Sequence, residues 1–137
     1  MSLFLIISGF IWWTLAEYLM HRYLFHGEDT WMKYIPLNRW IYTGHFILHG
    51  IHHAFPQDAK RLVFPPFPGY FVIGLSVYLP MTLSSPYWFS QPFFFGMLCG
   101  YIMYDLTHYF FHHSNPEDGS WFKKMKVYHM QHHYKFG

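Results

Sequence analysis

Four clusters of histidine, each beside an apolar stretch of membrane length, constrain this chain more than any other feature it has. They read HRYLFH (His21, His26), HGIHH (His49, His52, His53), HYFFHH (His108, His112, His113) and HMQHH (His129, His132, His133), and with His45 they account for all twelve histidines. So many imidazoles at helical spacing exceed what one metal ion uses, and they point to a two-metal site on a membrane protein.

At 137 residues the chain has the length of one domain, read as 1–137. Its composition is that of a bilayer protein. Charged residues make up 12% of it, against about 25% in a typical soluble domain. A quarter of the residues are aromatic, which suits a lipid-facing surface and its interfacial belts. The single cysteine, Cys99, lies in an apolar run and reads as a small packed hydrophobe. The N-terminal MSLFLIISGFIWWTLAEYLM lacks a basic leader and a small-residue cleavage site, so it reads as a retained span and not as a signal peptide.

Residues 3–20 are long enough for one bilayer crossing. Residues 67–83 and 88–104 give two more, joined by the tight turn SSPY into a hairpin. Residues 38–53 read as an interfacial helix or as one buried in protein. A chain that crosses once and then goes out and back places 21–66 and 105–137 on one side, so all four histidine clusters can meet. All nine Lys and Arg fall on that side too: Arg22, Lys33, Arg39, Lys60, Arg61, Lys123, Lys124, Lys126 and Lys135. The positive-inside rule makes that face cytoplasmic. PPFP at 65–68 and NPEDGS at 115–120 are breaks at which metal-bearing helices change direction. A weak pseudo-repeat runs along the chain, with a span, a histidine pair and then HxxHH occurring twice in order. The expected fold is all-α, an integral membrane protein with about three transmembrane spans and a cytosolic-side helical cap carrying the metal site.

Residues three and four apart share a helix face, so His49, His52 and His53 are expected to converge, as are His129, His132 and His133. His108 and His112 are an i, i+4 pair of the kind that binds one metal. His21 and His26 are five apart and need a bend or a helix end between them, for which Gly27 is suited. A lone interfacial histidine is more often simply hydrogen-bonded, and that reading is kept for His45 and His113, which lie outside the repeated spacings. The other ten are read as ligands. Imidazole suits Fe, Zn, Cu and Ni. Ten neutral ligands leave the site strongly positive, so carboxylates are expected behind them to orient the rings. Asp105, on the helical face of His108 and His112, and Glu17, four residues before His21, fill that role. The competing reading of Glu17 is a salt bridge with Arg22.

The text between the boxes is more specific. LHGIHHAFPQDAKRLVFPP (48–66), YDLTHYFFHHS (104–114) and KKMKVYHMQHHYK (123–135) resemble the fatty acid hydroxylase branch of the fatty acid hydroxylase and sterol desaturase superfamily, and in particular its fatty acid 2-hydroxylases. The resemblance implies a membrane non-haem di-metal oxygenase that places a hydroxyl on carbon 2 of a long acyl chain, free or within a ceramide-type sphingolipid. Carried over by motif, the ligands are His21, His26, His49, His52, His53, His108, His112, His129, His132 and His133, with no catalytic residue beyond them. The chemistry implies two Fe ions, with zinc able to replace them in purified material. Arg61, Tyr104, Tyr109 and Tyr134 are candidates for the lipid head group, against the plainer reading of an Arg61–Asp58 pair and interfacial tyrosines.

The partners implied are O2, the lipid, the membrane and a separate electron donor such as cytochrome b5 or ferredoxin with its reductase; nucleic acid is not among them. The location implied is the endoplasmic reticulum in a eukaryote or the inner membrane in a bacterium. Relatives of this type carry another span before the first box and continue past the last histidine, so the expectation is a domain lacking an N-terminal span and a C-terminal segment. The alternatives are a sterol or carotenoid desaturase or hydroxylase of the same superfamily, and a non-catalytic membrane metal-binding protein. A histidine-lined ion pathway is disfavoured, because the histidines sit at and after span ends.

Overall fold

Backbone amides in an apolar environment must bond within their own segment, which makes long apolar runs such as 2–25 helical. The computed structural model describes residues 1–27, 31–34, 38–62, 71 and 73–134, and among these every regular element is helical. Helix α1 is Ser2–Leu19, running directly into a π-helical stretch, Met20–Phe25. Helix α2 is Arg39–His45, continued by a π-helical stretch, Phe46–Gly50, and by Ile51–Ala54. The short α3 is Ala59–Leu62. Helix α4 joins a π-helical stretch, Gly74–Tyr78, to Leu79–Ser84. Helices α5 and α6 are Tyr87–His113 and Trp121–Tyr134. The PPFP break and the first part of the second expected span, at 67–70 and 72, lie outside the described residues, as does Lys135.

Local chemistry sets the helix limits. Asn38 caps α2, its Oδ1 accepting from the amides of Trp40 and Ile41. The expected turn at SSPY is present: α4 stops at Ser84, Ser85 is extended, and Pro86 precedes α5. The break at 115–120 is built by Gly119 at φ 83°, a region that favours glycine, and by Ser120, whose Oγ accepts from the amide of Lys123. The hydroxyls of Ser8 and Thr14 in α1 donate to carbonyls four residues back, which removes their cost in an apolar setting.

Among the described residues one stretch, Ser2–Phe25, is long and apolar enough to cross a membrane by length and composition, and 22% of its most apolar part is buried. Its buried residues, Leu5, Gly9, Trp13 and Glu17, form a single row four apart, while Leu3, Phe4, Ile7, Ile11 and Leu15 stand exposed. A core helix of a soluble protein would cover those side chains. This helix is apolar all round and packs along one row only, as lipid-facing helices do.

That row packs on α5. A Cβ at Gly96 would lie 2.0 Å from the Ile6 carbonyl oxygen, one at Gly9 2.0 Å from that of Phe93, and one at Gly100 2.9 Å from Trp13 Cβ. Further along, Trp13 meets Tyr101 edge-on at 5.5 Å, and the Tyr104 hydroxyl faces the Glu17 carboxylate. The contacts advance along both helices in the same sense, so α1 and α5 run parallel. Continued by one turn, the two rows reach His21 and His108. This is how the first and third histidine clusters come to the same end of the bundle.

Candidate metal centre

The sequence leaves open how His21 and His26, five residues apart, share a face. The π-helical stretch settles it: the amide of His26 donates to the carbonyl of His21 at 3.1 Å, the i→i+5 pattern, which brings residues five apart into line. The expected helix-ending role of Gly27 takes a different form, since its φ is not positive. Gly27 is needed for space, because a Cβ there would lie 2.9 Å from Trp31 Nε1.

Ten histidine Nε2 atoms converge in two adjoining groups. In the first, His21 and His26 each lie 3.0 Å from His132, His49 lies 3.1 Å from His26, and His53 lies 2.8 Å from His49. In the second, His129 lies 2.7 Å from His112 and 3.0 Å from His133, His108 lies 3.3 Å from His112, and His52 lies 3.2 Å from His133. The ligand atoms of His52, His108, His112, His129 and His133 all fall within 4.8 Å of one another, as do those of His21, His26, His49 and His132. His53 borders both groups, with its ring 4.3 Å from that of His133 and 4.8 Å from that of His132.

The convergence expected within each HxxHH motif is therefore corrected. His49 and His53 face the first group while His52 faces the second; His129 and His133 face the second while His132 faces the first. Each group consists of a histidine pair, the i and i+4 members of one HxxHH, and the i+3 member of the other. The pseudo-repeat in the sequence is realised as an exchange.

These contacts are not a hydrogen-bonded chain. An imidazole nitrogen has one in-plane direction, holding either a proton or a lone pair. The Nε2 of His132 nevertheless faces both His21 and His26, and that of His112 faces both His108 and His129. Nitrogens that crowd in this way point at a common centre. Around an ion with N ligands at about 2.1 Å, neighbours set at right angles are about 3 Å apart. The observed spacings match, so the residues fit a metal ion in each group.

Nine of the ten rings are also biased toward the neutral form that ligation requires. Burial, followed by repulsion from neighbouring imidazoles, lowers His52 to about 4, His53 to about 3 and His133 to about 2. Burial pushes His49 and His129 lower still. In the unfolded chain these rings titrate near 6.5 and bind protons first. Their contribution to stability is complete above that value and is lost progressively as the pH falls from about 6.5 toward 2. The metal-free protein is expected to unfold more readily over that window, as thermal scans in detergent at pH 7, 5.5 and 4.5 would register. An unchanged transition across the three would contradict this.

Of the carboxylates, Glu17 is 8% exposed and lies beside Tyr104, with no histidine hydrogen-bonded to it among the described residues. The Glu17–Arg22 salt bridge is not formed; the Arg22 guanidinium donates to the Tyr18 hydroxyl at 2.6 Å. Asp105 is half-buried near the same pair. The buried Nδ1 atoms of His52, His112 and His133 have no hydrogen-bond partner, so neither carboxylate orients those three rings. Tyr104, expected as a head-group contact, has its hydroxyl facing Glu17 and its ring 5.7 Å from that of His108. Tyr104→Phe would remove the polar hydroxyl that faces that buried carboxylate. A loss of about 1–3 kcal/mol is expected, with Glu17→Gln costing less, measured as thermal stability in detergent.

Arg61 pairs with Asp58 at 3.0 Å and lies 4.4 Å over the Phe55 ring, which is the plainer of its two readings. Tyr109 and Tyr134 are 45% and 64% exposed. His113 is exposed and meets the Tyr109 ring at a tilt, with centroids 4.4 Å apart, while His45 donates from Nε2 to the Phe25 carbonyl at 2.7 Å. Both stand outside the two groups, in keeping with the spacing argument. Sequence reasoning missed the row Gly9, Gly96 and Gly100 that aligns α1 with α5. The small-xxx-small pattern of GMLCG (96–100) was its signal.

Comparison with known proteins adds to this. The family profile described as Fatty acid hydroxylase matches residues 6–137. The chain is 40% identical over 132 residues to fatty acid 2-hydroxylase of Rattus norvegicus, covering 96% of this chain and 34% of that one. It is 39% identical over 131 residues to dihydroceramide fatty acyl 2-hydroxylase FAH2 of Arabidopsis thaliana, covering 96% and 52%. The solved structure described as full-length scs7p, with only its hydroxylase domain visible, superposes with a TM-score of 0.85 at 38% identity, covering 97% of this chain and 48% of that one. The chain thus spans about a third to a half of the length of the curated relatives it matches.

Proposed function

The chain belongs to the fatty acid hydroxylase family, and from that premise we propose that it is a membrane di-iron oxygenase domain hydroxylating carbon 2 of long-chain fatty acids or sphingolipid acyl chains. The observation that carries this reading is the meeting of ten Nε2 atoms in two groups at spacings near 3 Å. His21, His26, His49, His53 and His132 are the proposed ligands of one ion, and His52, His108, His112, His129 and His133 those of the other. The chemistry iron supplies when bound is the activation of O2 for hydroxylation of an unactivated C–H bond.

The protein's own part is to hold and to position. Burial biases His21, His49, His52, His53, His108, His112, His129, His132 and His133 toward the neutral form that binds a cation without first releasing a proton. Burial of His49, His52, His108 and His112 limits the access of water to the reacting region. The exposed apolar side chains of α1, on the helix whose far end carries His21 and His26, offer an acyl chain a surface beside the centre. Arg61, Tyr109 and Tyr134 are the proposed head-group contacts, with polar tips reachable from solvent.

The proposed membrane arrangement has three spans: α1, the segment 67–83 that includes α4, and the first part of α5. The parallel course of α1 and α5 supports it, since two parallel crossings require a return between them. The histidine end is assigned to the cytoplasmic face, in the endoplasmic reticulum of a eukaryote or the inner membrane of a bacterium, and residues 1–137 to one domain. Electrons come from a separate donor of the cytochrome b5 or ferredoxin class.

The test is to express the chain anaerobically with ferrous iron, quantify the metal, then add a reductant, O2 and a long-chain fatty acid and analyse the lipids by mass spectrometry. Two ions per chain with 2-hydroxy acid formed supports the reading. A double bond or a hydroxyl elsewhere would move the chain to the desaturase or carotenoid branch. Two ions with no oxygen consumption under any donor would mark a metal-binding protein, and fewer than two would sink the di-metal site.

A further inference from the structure

His45 is not one of the ten converging histidines, yet three observations tie it to the first group. Its Nε2 donates to the Phe25 carbonyl at 2.7 Å. Phe25 is the last residue of the π-helical stretch that spaces His21 from His26, and its ring lies flat on that of His49, with centroids 5.0 Å apart and planes at 17°. His45 itself sits four residues before His49 on α2, at the junction where the α-helix passes into its second π-helical stretch.

We propose that His45 is a positioning residue for the first metal centre: through the Phe25 carbonyl it fixes the end of the first π-helical stretch, and through the Phe25 ring it fixes the plane of the His49 imidazole. The physical need is specific. The last carbonyls of a helix have no partner within it, and π-helical stretches are strained relative to α-helix, so the turn holding His26 in line with His21 needs an outside tie. An imidazole N–H directed at a helix C-terminus also meets the negative end of the helix dipole. The tie joins the two helices that supply four of this centre's five ligands, α1 with His21 and His26, and α2 with His49 and His53. Phe25 works as the transmitting plate, because a ring stacked flat on His49 limits rotation about its χ2. The second centre has no counterpart in its histidine pair. His108 and His112 lie four apart inside regular α-helix, so that pair needs no such tie.

This inference rests on the metal-binding reading, and the experiment separates the two. The full chain in detergent is titrated with Co2+, following the ligand-field absorption and the stoichiometry for wild type, His45→Ala, His45→Gln and Phe25→Leu. Wild type taking up fewer than two Co2+ would overturn the di-metal reading itself. With two bound, His45→Ala is expected to weaken one site about 10–100-fold, the usual cost of losing a group that orients a ligand, and to leave the other unchanged. His45→Gln keeps an N–H donor at nearly the same reach and is expected to restore affinity to within a few-fold. Phe25→Leu keeps the carbonyl and the apolar bulk and loses the flat ring; it is expected to shift the absorption of the same site and to decide the matter if His45→Ala does not fold. Two unchanged affinities in both His45→Ala and Phe25→Leu would overturn the proposal, as would equal weakening of both sites.

Discussion

His132→Ala is expected to empty the centre built mainly on α1 and α2 while leaving the centre next to its own helix partners, His129 and His133, with its ion. Metal analysis would read one ion per chain in place of two. Oxygenase turnover is expected to fall by at least about 100-fold, more than the loss typical of a group that merely orients a ligand. His52→Ala is expected to show the mirror effect, losing the ion of His108, His112, His129 and His133. The basis is the exchange of i+3 histidines between the two HxxHH helices, with His132 Nε2 3.0 Å from both His21 and His26, and His52 Nε2 3.2 Å from His133. Combining variants sharpens the test. His132→Ala with His21→Ala removes two ligands of one centre and is expected to lose no more than one ion, whereas His132→Ala with His52→Ala should lose both. If His132→Ala and His129→Ala empty the same centre, the exchange is wrong.

The physical reason that the exchange escapes sequence reading lies in helix geometry. Successive residues on an α-helix are rotated by about 100°, so i+4 lies about 40° to one side of i, and i+3 about 60° to the other. Around a single ion that spread is tolerable, and convergence of all three is the natural expectation. A helix lying between two ions uses the same spread to serve both. Spacing alone cannot tell these cases apart, because the difference lies in where α2 and α6 sit relative to α1 and α5. The membership of the set was legible: His45 and His113 fall outside the repeated spacings, and the structure keeps both out of the two groups. The shared end of the histidine clusters was legible too, from the hairpin argument and the distribution of Lys and Arg.

Other features depended on contacts that a single chain pattern does not contain. The π-helical stretch at Met20–Phe25 has no compositional mark, and the spacing of His21 and His26 demanded only some departure from α-helix. Glu17 had two plausible partners four or five residues away, His21 and Arg22, but the polar group it faces is Tyr104, eighty-seven positions along the chain. Arg61 was ambiguous for the opposite reason. Its local partner Asp58, three residues back, is the one the structure forms.

Gly96→Ala, the smallest change available there, is expected to disrupt the protein more than any substitution of an exposed residue. Its new Cβ would stand 2.0 Å from the Ile6 carbonyl oxygen and 2.8 Å from that carbonyl's carbon. Both are backbone atoms, which cannot swing aside as the end of a side chain can, so the two helices must separate or slide. Separation exposes the row of Leu5, Gly9, Trp13 and Met97. Sliding shifts His21 against His108 and spreads both nitrogen groups beyond the distances a single ion spans. A stability loss of about 3 kcal/mol or more is expected, the range of severe overpacking at a close backbone approach. Metal content should fall with it, because the same helical rows carry the packing and, one turn on, the ligands. Gly9→Ala meets the Phe93 carbonyl oxygen at the same 2.0 Å and should behave alike. Gly44→Ala is the internal comparison: it lies in α2 with nothing within 4 Å of the new Cβ, so it is expected to be neutral or to stabilise by about 0.5–1 kcal/mol through the unfolded chain. Thermal unfolding in detergent alongside metal analysis measures all three. A Gly96→Ala protein that melts with wild type and holds its full metal would mean that α1 and α5 do not pack through these glycines, and the route by which His21 and His108 reach one end of the bundle would have to be found elsewhere.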